Sequence, residues 1–314
     1  MRLNPICITG GAGFIGSHLT RLLLDLGYEV RILDNLSTGQ RGNVPAGVEL
    51  IVGDILDRDA CAKAIRGCDT VLHLAARVAI RSSFDFVVED TMTNVSGTAS
   101  VLSAAAKAGG VRRVVSTSSM AVYSDAATPE PIAETHPTVP ISPYGISKLA
   151  SERLTHNLAA QAGIESVVLR LFNTYGAGQV FSPYVGVVTI FVNQLAQGKQ
   201  PRIFGDGLQA RDFVHVSDVA QAFHHAITAP VDGETFNVGT GVATTVNEVY
   251  RAVANAMQIS SQALHVDAAA GELRYSIAEI SKARAMLGYE PRKQFKAEIG
   301  TVVADILRRQ EVQQ

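Results

Sequence analysis

A tyrosine and a lysine four residues apart, Tyr144 and Lys148 in the run SPYGISK, are the first candidates for proton-transfer chemistry. Ser142 can cap a helix and Pro143 can occupy its first position, so the spacing predicts that both side chains share one helix face. A neighbouring ammonium group stabilises a phenolate and lowers the pKa of a tyrosine from about 10 towards neutrality. Taken alone, the same spacing is common in amphipathic helices, where an exposed Tyr–Lys pair has no catalytic role.

A serine-rich segment, STSSMAVY, adds a hydroxyl group to this pair. It follows a predicted strand and places Ser119 where a hydroxyl could hydrogen-bond a reacting oxygen. The alternative is a serine-rich turn that caps its own backbone, an interpretation that suits Ser116 or Ser118 better. Together with the Tyr–Lys spacing, the segment predicts a catalytic group formed by Ser119, Tyr144 and Lys148.

A glycine-rich turn near the amino terminus predicts a dinucleotide site. The run ITGGAGFIG satisfies the GxGxxG pattern at a strand-to-helix junction, where glycines let the backbone approach a pyrophosphate and the helix presents free N–H groups. Asp34 ends the next predicted strand, 18 residues beyond Gly16, where a carboxylate can accept both hydroxyls of an adenosine ribose. A carboxylate there also repels a 2′-phosphate, so NAD is expected rather than NADP, with Arg31 and Arg41 as the nearest cations.

The elements that must position these groups alternate between short β-branched runs and longer helical segments, the pattern of βαβ units that build a parallel sheet. The predicted strands are 6–9, 29–33, 49–52, 70–74, 111–116 and 166–169, and the predicted helices are 13–26, 58–66, 94–108, 143–162 and 187–197. The expected fold is therefore α/β, with a doubly wound parallel sheet of the Rossmann type. Its ligands should lie at the carboxyl ends of the strands, where all three motifs fall.

The alternation becomes less regular after about residue 173. We expect residues 1–172 to form the dinucleotide-binding domain and residues 173–314 to form mainly a smaller, interleaved substrate-binding lobe. Two strand-like segments, FVHV and FNVG, are expected to return to the first sheet within residues 211–240.

Composition excludes several other classes of protein. The 314 residues carry 27 basic and 29 acidic side chains, a net charge of -2, so no nucleic-acid partner is expected. No apolar run approaches the roughly eighteen residues that cross a bilayer, which predicts a cytoplasmic protein without a membrane partner. Three cysteines without CxxC spacing and eight histidines without ligand spacing predict no disulfide and no metal site, and Cys7 is expected to be a core residue.

Over nearly its whole length the chain resembles the extended short-chain dehydrogenase/reductases, specifically the nucleotide-sugar epimerase/dehydratase family. The matching segments are TGGAGFIGSH, LDNLSTG, GDI, HLAA, NVSGT, STSSMAVY, YGISK, LRLFNTYG, SPYVGVVTIF and FGDGLQARDFVHVSDV. The resemblance implies NAD contacts from Gly10, Gly13, Phe14, Ile15, Asp34, Asn35, Ser37, Thr38, Gly39, Asp54, Ile55, Leu74, Ala75, Ala76 and Asn94, together with Tyr144 and Lys148. It implies nucleotide-sugar contacts from Ser119, Tyr144, Asn173, Phe204 and Arg211. It also implies a homodimer built from helices 94–108 and 143–162.

Within that family, the dehydratases and the sugar-acid decarboxylases carry an acidic residue just after the catalytic Ser or Thr. Here those positions are Met120 and Ala121, which cannot transfer protons. The resemblance therefore implies an isomerase that inverts C4 of a nucleotide sugar, such as UDP-glucose and UDP-galactose, through a transient 4-keto intermediate. Another nucleotide-sugar oxidoreductase, such as a 4-ketoreductase, and a non-catalytic dinucleotide-sensing protein are the alternatives.

One segment departs from the family pattern. Related epimerases present an Arg in an RxGD-like segment that clamps the diphosphate, whereas this chain has Ala269 followed by Ala270, Gly271 and Glu272. Either Arg274 compensates, or binding is weak, or the nucleotide is not UDP. Counting five residues beyond Gly271 places Ser276 at the position that gates the C2 substituent of the sugar, which predicts that N-acetylated sugars are also accepted. A one-residue slip would make Tyr275 the gate.

Overall fold

The centre of the molecule is a sheet of seven parallel strands. The computed structural model describes residues 5–78, 80, 82–126, 128–179, 186–267 and 274–312. In order across the sheet, the strands are β10 (Glu234–Val238), β6 (Glu165–Leu171), β5 (Arg113–Ser119), β4 (Thr70–His73), β1 (Ile6–Thr9), β2 (Val30–Asp34) and β3 (Glu49–Val52). The strand order reverses between β1 and β4, and ligands bind at the carboxyl ends of the strands beside such a point.

Helices cover both faces of this sheet. One face carries α1 (Phe14–Asp25), α7 (Val216–Thr228) and α9 (Ser281–Leu287), and the other carries α2 (Arg58–Ile65), α4 (Gly97–Ala108) and α5 (Pro143–Gln161). Alternate residues of β1 supply the two apolar cores, since Ile6 and Ile8 face the first layer of helices and Cys7 faces the second. The prediction that Cys7 is a core residue is confirmed.

The remaining elements pack around a core of their own. A second sheet joins β7 (Asn173–Tyr175), β9 (Ala210–His215), β11 (Ala243–Thr245) and β13 (Tyr275–Ser276), while β8 (Arg202–Phe204) pairs with β12 (Leu264–Val266). This core lies among α6 (Val187–Ala196), α8 (Val246–Ala256) and α10 (Phe295–Val312). None of the helices in the described ranges is both long and apolar enough to cross a bilayer.

The sequence predicted the order and type of the first six strands correctly, but two expectations need correction. The helix expected over 94–108 is helical throughout but starts earlier, because α3 (Val87–Thr91) continues through a π-helical turn, Met92–Ser96, into α4. The segment FNVG lies at the end of β10 and joins the first sheet as expected, whereas FVHV does not. It lies at the end of β9, which pairs within the second sheet, because β10 already occupies the position beside β6.

Candidate active site

The glycine-rich turn brings the ends of β1 and β4 into direct contact with the start of α1. A Cβ atom on Gly10 would lie 2.7 Å from the backbone nitrogen of Ala75, and Gly10 has a φ of +74°, so only glycine fits. The N-cap residue of α1, Gly13, offers no side-chain acceptor to the first turn of the helix. The N–H groups of Phe14 and Ile15 therefore remain available to an anion, as pyrophosphate binding requires. The neighbouring Leu74 and Ala76 are partly exposed beside this turn.

The expected ribose-binding residues lie together at the carboxyl ends of β2 and β3. Asp34 Oδ2 accepts a hydrogen bond from Ala12 N (2.9 Å), and its Oδ1 accepts one from Leu36 N (2.8 Å). A Cβ on Gly39 would lie 2.9 Å from Asp34 Oδ1, so this glycine lets the loop approach the carboxylate. Further along the same edge, Asn35 Nδ2 donates to Asp54 Oδ2 (2.7 Å). Ser37 and Thr38 are exposed on this loop, and Ile55 is buried beneath it.

Asn94 connects this edge to helix α5. It lies in the π-helical turn, is 1% exposed, and its side chain binds both the backbone N–H and the carbonyl of Arg77 (2.9 and 3.2 Å). Asn94 Nδ2 also donates to the Ser147 hydroxyl (2.9 Å), one position before Lys148. A π-helical turn re-aims side chains and is frequent at functional sites. Here it fixes the loop after β4 against the helix that carries Tyr144 and Lys148.

Ser119, Tyr144 and Lys148 lie together in the structure. Ser119 is the last residue of β5, and its hydroxyl lies close enough to that of Tyr144 to lower the pKa of the tyrosine. Ser142 caps α5 by accepting from Gly145 N, and Pro143 is its first residue, as the sequence predicts. All three candidate catalytic side chains are nearly buried, with exposures of 9%, 5% and 5%.

The expected lowering of the Tyr144 pKa is not found. Burial raises the pKa of Tyr144 to about 12, the Ser119 hydrogen bond lowers it, and the charge of Asp90 raises it. Burial also lowers the pKa of Lys148 to about 8, while Glu152, one helical turn away, raises it. The expectation considered only the attraction between ammonium and phenolate, but here loss of solvation has the larger effect on both groups.

The serine-rich turn also differs from expectation in one respect. The capping role assigned to Ser116 or Ser118 belongs to Ser119, whose Oγ accepts from Ala121 N (3.2 Å). Ser116 Oγ is instead hydrogen-bonded to Thr155 (3.3 Å), and the Ser118 hydroxyl is buried without a hydrogen-bond partner in the described part of the chain. Ser119 can thus cap the turn with one lone pair and still contact Tyr144.

The expected substrate residues are carried by the second sheet and the strands beside it. Asn173, the first residue of β7, has a buried Nδ2 that finds no hydrogen-bond acceptor among the described residues. Arg211 in β9 is the register partner of Ser276 in β13. The backbone carbonyl of Phe204, at the end of β8, accepts a hydrogen bond from the side-chain Nε2 of Gln209 (2.9 Å), two residues before Arg211. Ser276 is fully buried, and its hydroxyl also lacks a partner within the described ranges.

The segment from Ala269 to Glu272 lies outside the described residues. Arg274, the proposed substitute for its missing cation, forms a two-pronged ion pair with Asp206 (2.8 and 2.8 Å). Its backbone carbonyl accepts a hydrogen bond from Arg211 (3.3 Å). Arg274 is thus close to the candidate diphosphate ligand, although much of its charge is neutralised by Asp206.

Sequence reasoning missed several buried polar groups around the site. Asp90 is 3% exposed, pairs with Arg77 Nε (2.8 Å), and influences the Tyr144 pKa. His73 bridges Thr9 (2.8 Å) and Thr98 (2.9 Å) at the point where the strand order reverses. The only sequence signal was the presence of His73 at a predicted strand end, since its partners are 64 and 25 residues away. Within the described ranges, no cluster of His, Cys, Asp or Glu could hold a metal ion.

The observed geometry fits a bound dinucleotide. Three features lie along one edge of the sheet: a glycine contact that leaves no room for a Cβ atom, a helix amino terminus without a side-chain cap, and a carboxylate at the end of β2. These are the groups that pyrophosphate and ribose hydroxyls require.

Known proteins share both the sequence and the structure of the chain. Residues 6–239 match the model of the NAD dependent epimerase/dehydratase family. A UDP-glucose 4-epimerase from Mycolicibacterium smegmatis is 35% identical over 91% of this chain and 93% of its own length. The structure of UDP-glucose 4-epimerase from Thermotoga maritima with UDP-glucose superimposes with a TM-score of 0.93 at 33% identity, covering 98% of this chain and 99% of that chain. A UDP-N-acetyl-alpha-D-glucosaminuronate decarboxylase from Bacillus cytotoxicus is 33% identical over 82% of each chain. On this evidence, the chain belongs to the NAD dependent epimerase/dehydratase family.

Proposed function

We propose that the protein is an epimerase that inverts C4 of a UDP-hexose, with Tyr144 as the proton-transfer group. The observation that carries the proposal is that Ser119, at the end of β5, is buried close enough to Tyr144 to affect its pKa, with Lys148 one turn further along α5. Tyr144 takes the proton of the sugar 4-hydroxyl as C4 is oxidised, and returns it after the keto sugar has turned its other face. Ser119 holds and relays this proton, and Lys148 favours the phenolate and holds the nicotinamide ribose. Bound NAD would supply the hydride acceptor and donor for C4.

The residues after Ser119 favour epimerisation over the other reactions of the family. Met120 is 8% exposed and Ala121 is 5% exposed, and both belong to the apolar cluster that surrounds Tyr144. Elimination of water needs a further acid and base near the sugar. Neither side chain can serve, so dehydration and sugar-acid decarboxylation are disfavoured.

The substrate contacts of the proposal lie in residues 173–314, which we propose as the main substrate-binding lobe. Asn173 has a buried donor that a substrate oxygen would satisfy, and Arg211 supplies a cation for the diphosphate. Phe204 lies near the nucleotide base in this arrangement, and Ser276 borders the C2 substituent of the sugar. N-acetylated sugars are therefore further candidate substrates.

The cofactor preference follows from Asp34 and from the state of Arg31. Asp34 would place a like charge beside a 2′-phosphate. Arg31 cannot offset this charge, because its Nε is paired with Glu49 (2.7 Å) and its Nη1 donates to the carbonyls of Ala64 and Arg66. A denatured preparation should therefore release NAD or NADH. Release of NADP would contradict the proposed role of Asp34.

We further propose a cytoplasmic homodimer formed through α4 and α5. A surface groove is lined by Val95, in the π-helical turn that leads into α4, and by Ala150 and Leu154 of α5 together with three polar side chains of that helix. Val88 of α3 and Ile146 of α5 are also 70% and 57% exposed. Exposed apolar side chains of this kind are typical of an interface between protein chains. Sedimentation of the wild-type protein and an Ile146→Glu variant tests this: the variant should shift to monomer.

Incubation with UDP-galactose and no added cofactor tests the proposed reaction. An epimerase with bound NAD produces UDP-glucose without net oxidation or reduction. A 4-ketoreductase would give no product until reduced cofactor and a keto sugar were supplied, and a sensing protein would bind NAD without turnover. Absence of UDP-glucose from protein shown to contain NAD would refute the proposal.

A further inference from the structure

A tight turn after β7 lies between the cofactor helix α1 and the C-terminal helix α10. It spans residues 176–178, only three positions beyond Asn173. Gly178 has a φ of +93°, which a residue with a side chain would adopt only with strain. The conformation of this turn therefore sets the direction in which the backbone continues after β7, the strand that begins with Asn173.

On one side, the turn contacts the first turns of α1. His18 Nε2 donates a hydrogen bond to the carbonyl of Ala177 (2.9 Å), which fixes the proton on Nε2. A Cβ placed on Gly178 would lie 3.5 Å from His18 Nε2 and 3.8 Å from the Phe14 ring. Phe14 is the first residue of α1, so the turn approaches the side chain of a residue whose N–H is expected to bind pyrophosphate.

On the other side, Asp305 of α10 holds the same turn. Its Oδ2 accepts a hydrogen bond from Gly178 N (2.8 Å), and the side chain is only 6% exposed. The same oxygen is paired with Arg309 Nε (2.8 Å), whereas Oδ1 is paired with Arg308 (2.7 Å). A hydrogen bond to a buried carboxylate is stronger than one between neutral groups.

We propose that His18 and Asp305 are positioning residues that hold the 176–178 turn against the start of α1 and thereby slow the release of NAD. The inference rests on the proposed function, in which a cycle that leaves NAD unchanged has no need to exchange it. Neither side chain touches the reacting atoms in this arrangement. Their effect should be on the lifetime of the bound cofactor and not on proton transfer.

The rate of NAD release tests this inference directly. The purified protein is loaded with radiolabelled NAD and chased with unlabelled NAD in the absence of any sugar. We expect His18→Leu to speed release about threefold to tenfold and Asp305→Asn about tenfold or more, as the loss of a neutral and of a charge-assisted hydrogen bond predicts. Turnover at saturating NAD should be unchanged in both variants.

Two matched variants separate positioning from a general loss of structure. His18→Gln keeps an N–H donor that can reach Ala177 and should restore slow release. Arg308→Ala removes a pair on the other oxygen of Asp305, at a side chain that is 72% exposed, and should release NAD at the wild-type rate. Wild-type release rates in folded His18→Leu and Asp305→Asn would overturn the inference. If the protein does not epimerise UDP-galactose, the inference about His18 and Asp305 still stands, because the chase contains no sugar. A wild-type protein that cannot bind NAD would overturn both proposals.

Discussion

Glu152 and Arg170 form a buried, two-pronged ion pair one helical turn from Lys148. The two contacts measure 2.8 Å each, and the side chains are 4% and 7% exposed. Arg170 also donates to the hydroxyl of Tyr123 (2.9 Å), which in turn donates to Asn237 in β10 (2.6 Å). This network ties the helix of Tyr144 and Lys148 to two strands of the first sheet, β6 and β10, and to the turn that follows β5.

Removal of Arg170 should therefore be costly. Arg170→Leu leaves the Glu152 carboxylate buried and unpaired, and we expect it to lower the free energy of unfolding by about 3–5 kcal/mol. Denaturation in urea measures the change. Arg284→Ala is the matched control, because its pair with Glu290 is exposed and should contribute at most about 1 kcal/mol. The double variant Glu152→Leu/Arg170→Leu removes the unpaired charge and should recover much of the lost free energy of unfolding. If the double variant is as unstable as Arg170→Leu, the unpaired Glu152 charge is not the cause of the destabilisation.

Tyr144→Phe should separate binding from chemistry. The change removes only the phenolic hydroxyl, so NAD should remain bound while turnover falls by about 10²–10⁴, the usual range for general acid–base groups. Ser119→Ala should cost less, since Ser119 assists a proton transfer that Tyr144 performs. Product analysis with UDP-galactose and assay of bound NAD give the two readouts. Near-wild-type epimerisation by Tyr144→Phe would assign the proton transfer to another group.

The pH dependence of stability should carry a contribution from His73. Burial, together with a smaller effect of the Lys148 charge, lowers the pKa of His73 to about 3. Between pH 6.5 and 3 the unfolded chain therefore binds a proton that the folded protein does not, and stability falls as pH falls through this range. The loss should be on the order of several kcal/mol. Urea denaturation at a series of pH values should give a shallower slope for His73→Gln, whereas His265→Gln, at an exposed position, should match the wild type.

The sequence predicted the strands of the first sheet because each is a short apolar run with a turn signal at its end. The placement of the candidate catalytic residues was predictable for a related reason, since Ser142 and Pro143 fix the start of α5 and the carboxyl ends of parallel strands meet at one edge. The long-range contacts were not predictable. Only the folded chain shows that Asp90 influences Tyr144 and that β9 pairs outside the first sheet, because these contacts join residues distant in sequence. The raised pKa of Tyr144 belongs to the same class, since burial depends on the whole packing arrangement.

The last prediction concerns the C2 substituent of the sugar. Ser276 is the register partner of Arg211 in the neighbouring parallel strand, so the two side chains extend from the same face of the second sheet. Tyr275 extends from the opposite face, is partly exposed, and packs against the apolar cluster that contains Tyr144. If Arg211 binds the diphosphate, Ser276 is on the side where the sugar would lie.

A small residue at 276 should let an N-acetyl group rotate during the exchange of sugar faces. We expect the wild-type protein to turn over UDP-glucose and UDP-galactose as well as their N-acetylated counterparts, and Ser276→Tyr to remove the second activity selectively. Ser276→Ala keeps the side chain small and should preserve both activities, while thermal denaturation shows whether the buried tyrosine is tolerated. The alternative gate is Tyr275. It would be supported if Tyr275→Ala changes the preference between the two substrate pairs while Ser276→Tyr folds and is equally active on both. Selective loss in Ser276→Tyr would indicate steric exclusion of the larger substituent, whereas equal loss on both substrate pairs in a folded variant would contradict a gate at Ser276.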